Sequence, residues 1–177
     1  MPQPNANRPW LPSSSCITFE EAEEQAWNEI EQFLKGMNPF EFQDLVADLL
    51  KAMSYYVSWV SPKGKDGGVD IIAHSDPLGT RSPRIKVQVK RQQQKVDSAG
   101  LKSFLANVNE DDVGLYVSTG GFTKDAEDYG RSQEKRKITL IDMGRLVDLW
   151  IKFFDNLEDS ARKRLPLTPI YFLTPQN

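Results

Sequence analysis

Asp70 lies inside the apolar run VDIIA (69–73), and Gln88 and Lys90 stand two apart in RIKVQVKR (84–91). A carboxylate in an apolar segment must be paired or metal-bound if it is buried. Residues i and i+2 of a strand point to one face, so Gln88 and Lys90 project together. Taken singly, each feature has an ordinary reading: Asp70 as a structural acid, and Lys86, Gln88 and Lys90 as a solvated face. In combination they offer an aspartate on one strand, an amide oxygen and an ammonium on the next, and a basic stretch around them. That set suits a hydrated cation and a phosphodiester. A hard cation takes oxygen ligands, which the Asp70 carboxylate, the Gln88 amide and the Val89 carbonyl can supply. Such a cation polarises a phosphate and lowers the pKa of a bound water. Lys90 can orient that water or neutralise charge developing on the phosphate.

Composition narrows the metal. Cys16 and His74 are the only cysteine and histidine, which excludes a zinc finger, a His-rich site and a Cys/His catalytic pair. An oxygen-bound ion is left: magnesium, manganese or calcium. One cysteine also rules out an intramolecular disulfide and points to a reducing, cytoplasmic compartment. No stretch approaches the roughly 18 consecutive apolar residues of a membrane helix, and the start MPQPNANRPWLPSSS lacks the features of a signal peptide.

The 177 residues carry a net charge of −3, unevenly spread. Residues 1–36 hold six acids and two bases, whereas residues 84–95 hold five bases (Arg84, Lys86, Lys90, Arg91, Lys95) and no acid. Local patches decide phosphate contact more than net charge does.

The elements that must position these groups read as follows. Residues 1–17, rich in Pro, Asn and Ser, form an expected flexible segment. Thr18 and Glu21 make a capping box for an acidic amphipathic helix over 18–36, with Phe19, Ala22, Ala26, Ile30 and Phe33 on one face. Asn38 and Pro39 start a second helix that runs to about Met53 and buries Phe42, Leu45, Val46, Leu49 and Leu50. Strands are expected over 55–60, 69–74 and 84–91, then a helix over 98–108, a buried strand over 113–119, a helix over 124–134, a strand over 137–142 and a helix over 143–157. Three consecutive strands suit an antiparallel meander, and the later strand–helix–strand suits parallel crossovers. The expected fold class is α/β: a mixed five-stranded central sheet flanked by helices, with a core over 37–157 and a tail, 158–177, packed on it in extended form. Trp27, Trp59 and Trp150 read as core.

At this point the chain resembles a known family. FQDLVADLLKAM, GKDGGVDIIA, IKVQVKR, VGLYVSTGGFTKDA and ITLIDMGRLVDL follow one another as in the catalytic domain of Mrr-type restriction endonucleases, of the PD-(D/E)xK superfamily, over roughly residues 38–149. The resemblance implies a restriction-endonuclease-like αβββαβ core preceded by an N-terminal helix. It implies that Asp70 binds the metal and that Gln88 and Lys90 fill the QxK form of the (D/E)xK motif. A family acid from the first core helix falls where this chain has Gln43, which helical geometry places at the edge of the buried face, so Gln43 is expected in the site as a water or phosphate ligand. With amides at 43 and 88, the formal negative charge falls to that of Asp70, and metal affinity is expected to be weak.

The expected activity is therefore endonucleolytic hydrolysis of double-stranded DNA with Mg²⁺ (or Mn²⁺), in restriction of foreign or modified DNA. Expected DNA contacts are Lys63 and Lys65 beside GKDGG, Lys86, Arg91 and Lys95 in the basic stretch, and Ser118 and Thr119, whose backbone N–H groups before Gly120-Gly121 can bind phosphate or simply close a turn. Asp66 is either a further carboxylate or turn chemistry. Cutting both strands needs two sites, so a homo-oligomer is expected, and target choice can lie in a separate recognition domain or subunit. The acidic helix is available for oligomer contacts. Two alternatives stand beside this reading: a catalytically weak nuclease-like fold that binds DNA or a protein, and a junction or repair nuclease on the same fold.

Overall fold

The computed structural model describes residues 18–64 and 67–171. The expected flexible segment 1–17 with Trp10 and Cys16, the residues Lys65 and Asp66, and the last part of the tail lie outside them.

The start signals act locally, and the helices begin at them. Helix α1 spans Phe19–Gly36. Thr18 Oγ1 accepts the Glu21 N–H at 3.2 Å and Glu21 Oε2 accepts the Thr18 N–H at 2.9 Å, closing the capping box. Helix α2 spans Pro39–Ala52, with Asn38 Oδ1 accepting the Phe40 N–H at 2.9 Å and proline in the first turn, where its missing N–H costs nothing. It buries Phe42, Leu45, Val46, Leu49 and Leu50.

Strands β1 (Tyr56–Val60), β2 (Ile71–His74), β3 (Arg84–Lys90), β4 (Asp112–Ser118) and β5 (Lys137–Ile141) form one sheet in the order β1-β2-β3-β4-β5. The first two pairings are antiparallel and the last two parallel. Helices α3 (Ser98–Leu105) and α4 (Lys124–Arg131) make the crossovers. They cover one face with Leu101, Phe104, Leu105 and Ala126 packed on Tyr116. Helix α2 and helix α5 (Met143–Lys152) cover the other, where Ile71, Ala73, Ile85, Val87, Val117 and Ile141 meet Leu45, Leu146 and Trp150. This is the mixed, two-sided sheet expected from the pattern. No helix among the described residues is long and apolar enough to cross a membrane.

Several boundaries differ from expectation. Helix α5 stops at Lys152 and a 3₁₀ turn (Phe154–Asn156) follows, so the amphipathic run to 157 is two pieces. The tail is not simply extended: α6 (Asp159–Arg162) forms a helical turn, and Ala161 and Leu165 are buried. The Trp150 indole N–H donates to the Leu165 carbonyl at 3.2 Å and ties tail to core. Beyond it Ile170 and Tyr171 are exposed. Trp150 is core as expected, but Trp59, on edge strand β1, is 39% exposed and Trp27 only half-buried. Helix α1 buries Leu34, while Phe19 and Phe33 of its expected core face stay exposed.

Candidate active site

The parallel pairing of β3 with β4 places Gln88 beside Tyr116 and Lys90 beside Ser118. Register partners in a sheet share a face, so these four side chains stand together on the α3/α4 side at the carboxyl ends of both strands. In open α/β sheets that edge is where ligands bind.

Asp70 reaches the same place by a local departure from the ladder. It precedes β2, which begins at Ile71 rather than at 69. Its N–H donates to the Val87 carbonyl at 2.7 Å, and its carboxylate Oδ2 accepts the Val89 N–H at 2.7 Å. The carboxylate thus sits against the peptide between Gln88 and Val89. Burial, and then the negative charges of Asp70 and Asp97, push the Tyr116 phenol up to about 12. Peptide groups alternate sides along a strand. The Lys90 carbonyl serves β4 by accepting the Thr119 N–H, and the Val87 carbonyl serves Asp70. The Val89 carbonyl therefore points to the Asp70 side.

Gln43 projects from α2, is 8% exposed, and donates from Nε2 to the Ser61 carbonyl at 2.9 Å. The Ser61 N–H in turn donates to the Asp70 carbonyl at 2.8 Å. One chain of hydrogen bonds therefore links Gln43, Ser61 and Asp70. Ser61 had no signal in the sequence beyond its place at the end of the first strand.

The expected DNA contacts separate into groups. Lys63 is exposed in the loop after β1 with its ammonium 5.3 Å from the Phe40 ring centroid, and Lys95 is exposed before α3. Lys65 is outside the described residues. Lys86 is turned inward: its Nζ lies 3.0 Å from Asp112 Oδ2 and donates to the Asn107 carbonyl. Burial would raise the Asp112 carboxyl, but Arg84 and Lys86 outweigh it and hold the group below its ordinary 3.8. Arg91 donates from Nη1 to the Lys35 carbonyl at the end of α1, at 2.9 Å, and its Nε is buried without a partner among the described residues. Thr119 is spent internally: its hydroxyl accepts the Gln92 N–H at 2.9 Å and donates to the Gln92 carbonyl at 2.8 Å. Gly120 permits that clasp, since a Cβ there would strike the Gln94 carbonyl. Ser118 is fully buried, and its hydroxyl has no hydrogen-bond partner among the described residues. His74 pairs with the Ser58 hydroxyl at 3.1 Å, away from this cluster.

Tyr116 is the member the sequence reading missed. Its signal was parity: two residues before Ser118 in VGLYVST, it must share that residue's face. Its ring is held edge-on between Phe104 and Phe122, with centroids at 5.2 and 5.7 Å.

The donor set is compatible with a small hard cation. Among the described residues no group of three or more His, Cys, Asp or Glu gathers into a metal site. What gathers is one carboxylate with neutral amide and carbonyl oxygens, enough for an ion such as Mg²⁺ that keeps several waters.

Comparison with known proteins identifies the family. A restriction endonuclease family model, Mrr_cat, matches residues 34–150. The Type IV methyl-directed restriction enzyme EcoKMrr of Escherichia coli K12 is 30% identical over 141 residues, covering 76% of this chain and 45% of that protein. Uncharacterized protein y4cE of Sinorhizobium fredii is 30% identical over 109 residues, covering 59% of this chain and 27% of that one. The chain thus spans less than half the length of the curated relatives it matches. Among solved structures, the MspJI restriction endonuclease in complex with a 27-mer oligonucleotide superposes with a TM-score of 0.59 at 20% identity, covering 88% of this chain and 40% of that chain. At that identity the likeness is one of fold.

Proposed function

The chain belongs to the restriction endonuclease family whose model spans residues 34–150, and on that premise we propose that it is a metal-dependent endonuclease of double-stranded DNA, acting in the cytoplasm in restriction of foreign or modified DNA. The observation that carries the reading is the Asp70 carboxylate bonded to the Val89 N–H, on the strand from which Gln88 and Lys90 project to one face.

Asp70, the Gln88 amide oxygen and the Val89 carbonyl would hold Mg²⁺ or Mn²⁺. When bound, the ion supplies polarisation of the scissile phosphate and a more acidic water. The chain's own groups do the rest. The Val89 N–H fixes the rotation of the Asp70 carboxylate. Lys90 places an ammonium where charge grows on the phosphate. Gln43, anchored through Nε2 to Ser61, offers its amide oxygen to a water. The buried Ser118 lies in register beside Lys90. Lys63, Lys95 and Arg91 are the proposed backbone contacts to the duplex; Lys86 and Thr119 support the scaffold. Two strands need two sites, so the working form is a homo-oligomer, and target choice resides in a further domain or subunit.

The test is nicking of supercoiled plasmid with Mg²⁺ or Mn²⁺, comparing wild type with Asp70→Ala and Lys90→Ala. Each substitution is expected to lower the rate at least about a hundredfold, the scale of losing one preorganised electrostatic group. Equal cleavage by all three proteins would end the assignment. The amides at 43 and 88 favour a second reading, a weakly catalytic fold that binds DNA; binding without cleavage in either metal would select it. Cleavage of branched but not linear duplex would select a junction nuclease.

A further inference from the structure

Lys90 is the last residue of β3, and its backbone is held unequally on its two sides. Toward β2, register pairing ends at Val87, and the Asp70 carboxylate then takes the Val89 N–H at 2.7 Å. Toward β4, pairing runs to Lys90 itself, whose carbonyl accepts the Thr119 N–H at 3.1 Å. A lysine ammonium stands at the end of a flexible four-carbon stem. Its position therefore depends on how firmly the peptide beneath it is fixed, and on what fixes the chain as it leaves the strand.

Thr119 grips that departing segment twice. Its N–H holds the Lys90 carbonyl, and its hydroxyl accepts the Gln92 N–H at 2.9 Å while donating to the Gln92 carbonyl at 2.8 Å. One side chain thus satisfies both backbone groups of the residue two past Lys90. The hydroxyl hydrogen is committed to Gln92 and the residue is only 6% exposed, which closes it to a phosphate. A second fastening, farther along, uses other groups: the Val96 N–H donates to the Gly121 carbonyl at 3.0 Å and the Thr123 N–H to the Val96 carbonyl at 2.9 Å. Lys90 adjoins the first fastening and Lys95 the second, so a substitution at Thr119 separates them.

We propose that Thr119 is a positioning residue for phosphodiester cleavage: by clasping the backbone at Lys90 and Gln92, it holds the Lys90 ammonium where charge grows on the scissile phosphate. The proposal rests on the nuclease reading of Asp70, Gln88 and Lys90, and extends it to a residue that touches neither metal nor DNA. Gly120 serves the same clasp, because a Cβ there would strike the Gln94 carbonyl. Displacing a reacting group by about 1 Å costs on the order of a hundredfold in rate. Contact with the duplex through Lys95 is spared, since the fastening at Val96 does not involve the Thr119 side chain. The loss therefore falls on the rate at saturating DNA and not on DNA binding.

Nicking of supercoiled plasmid by the full chain, with Mg²⁺ or Mn²⁺ and over a range of DNA concentrations, tests it. Thr119→Val keeps the side-chain shape and removes both bonds to Gln92, whereas Thr119→Ser keeps the hydroxyl. The valine variant is expected to lose about a hundredfold in saturating rate, with its half-saturating DNA concentration within about threefold of wild type. The serine variant is expected to stay within about threefold of wild type in both. Gly120→Ala forces the clasp open sterically and is expected to show the valine variant's split, so the test does not hang on one protein. Amide hydrogen exchange supplies a readout apart from cleavage: the Gln92 and Thr119 N–H groups should exchange at least about tenfold faster in Thr119→Val, and the Val96 N–H as in wild type. A valine variant that cuts at the wild-type rate, a loss confined to DNA binding, a serine variant no better than valine, or equal Gln92 protection in all proteins would overturn the proposal and leave the nuclease reading standing. A wild type that cuts with neither metal would overturn that reading, and this role with it.

Discussion

Gln88→Glu is the perturbation whose consequence the site geometry makes most specific. Gln88 is 8% exposed and stands on the face toward which the Asp70 carboxylate is turned. A glutamate there adds a second anion at a separation on the order of 5 Å, the spacing of neighbours on one sheet face. At an effective dielectric of about 20 the repulsion is about 3 kcal/mol, which lowers Tm by about 6–12 °C for a domain of this size. A divalent cation bound between the two carboxylates reverses the sign of that effect. Metal at about a hundred times its dissociation constant returns about 2.7 kcal/mol, nearly the whole loss. The assay is thermal unfolding at pH 8, with EDTA and with Mg²⁺ or Mn²⁺. The variant should melt well below wild type in EDTA, recover with metal, and bind metal more tightly. A variant as stable as wild type in EDTA, or a deficit that metal does not relieve, would refute the placement of Gln88 beside Asp70 in a cation site.

Other expectations follow from the scaffold. Asp112→Ala leaves Lys86, whose side chain is 13% exposed, without its carboxylate; the cost should be about 3 kcal/mol by chemical denaturation, and a loss under about 1 kcal/mol would mean the cluster is solvated. Asp76 accepts hydrogen bonds from the Thr80 N–H and hydroxyl and the Arg81 N–H, which lower its carboxyl from 3.8 to about 2. Its contribution is therefore full above pH 3.8 and lost as pH falls toward 2, so the Tm difference between wild type and Asp76→Ala should shrink across that window. Trp150→Ala opens a cavity in the core and frees the Leu165 carbonyl; about 3–5 kcal/mol should be lost, and residues after α5 should become protease-sensitive.

What could be read from the residues was what depends on near neighbours. The Thr18–Glu21 box, the Asn38-Pro39 start and the alternation through Ile85, Val87 and Val89 are decided within a few positions, and the structure follows them. The grouping of Gln88 with Lys90 is likewise a matter of strand parity. Other features depend on distant partners. Lys86 shares that parity, yet Asp112, far along the chain, draws it inward. The Thr119 backbone N–H, which the sequence offers either to a phosphate or to a turn, donates to the Lys90 carbonyl, while the Gln92 backbone takes the hydroxyl. Asp70 was placed within a strand, whereas it precedes the ladder and turns its carboxylate to Val89. The stripe on α1 showed which face prefers burial, and no pattern within one helix can say whether its own chain will cover that face.

The most direct measurement is an anomalous difference map from crystals soaked in Mn²⁺. The account predicts one strong peak at inner-sphere distance, about 2.2 Å, from the Asp70 carboxylate and the Gln88 amide oxygen, with the Lys90 ammonium facing the same space. A peak elsewhere in the molecule with Asp70 still bonded only to protein groups, or Gln88 and Lys90 directed away from the ion, would contradict it.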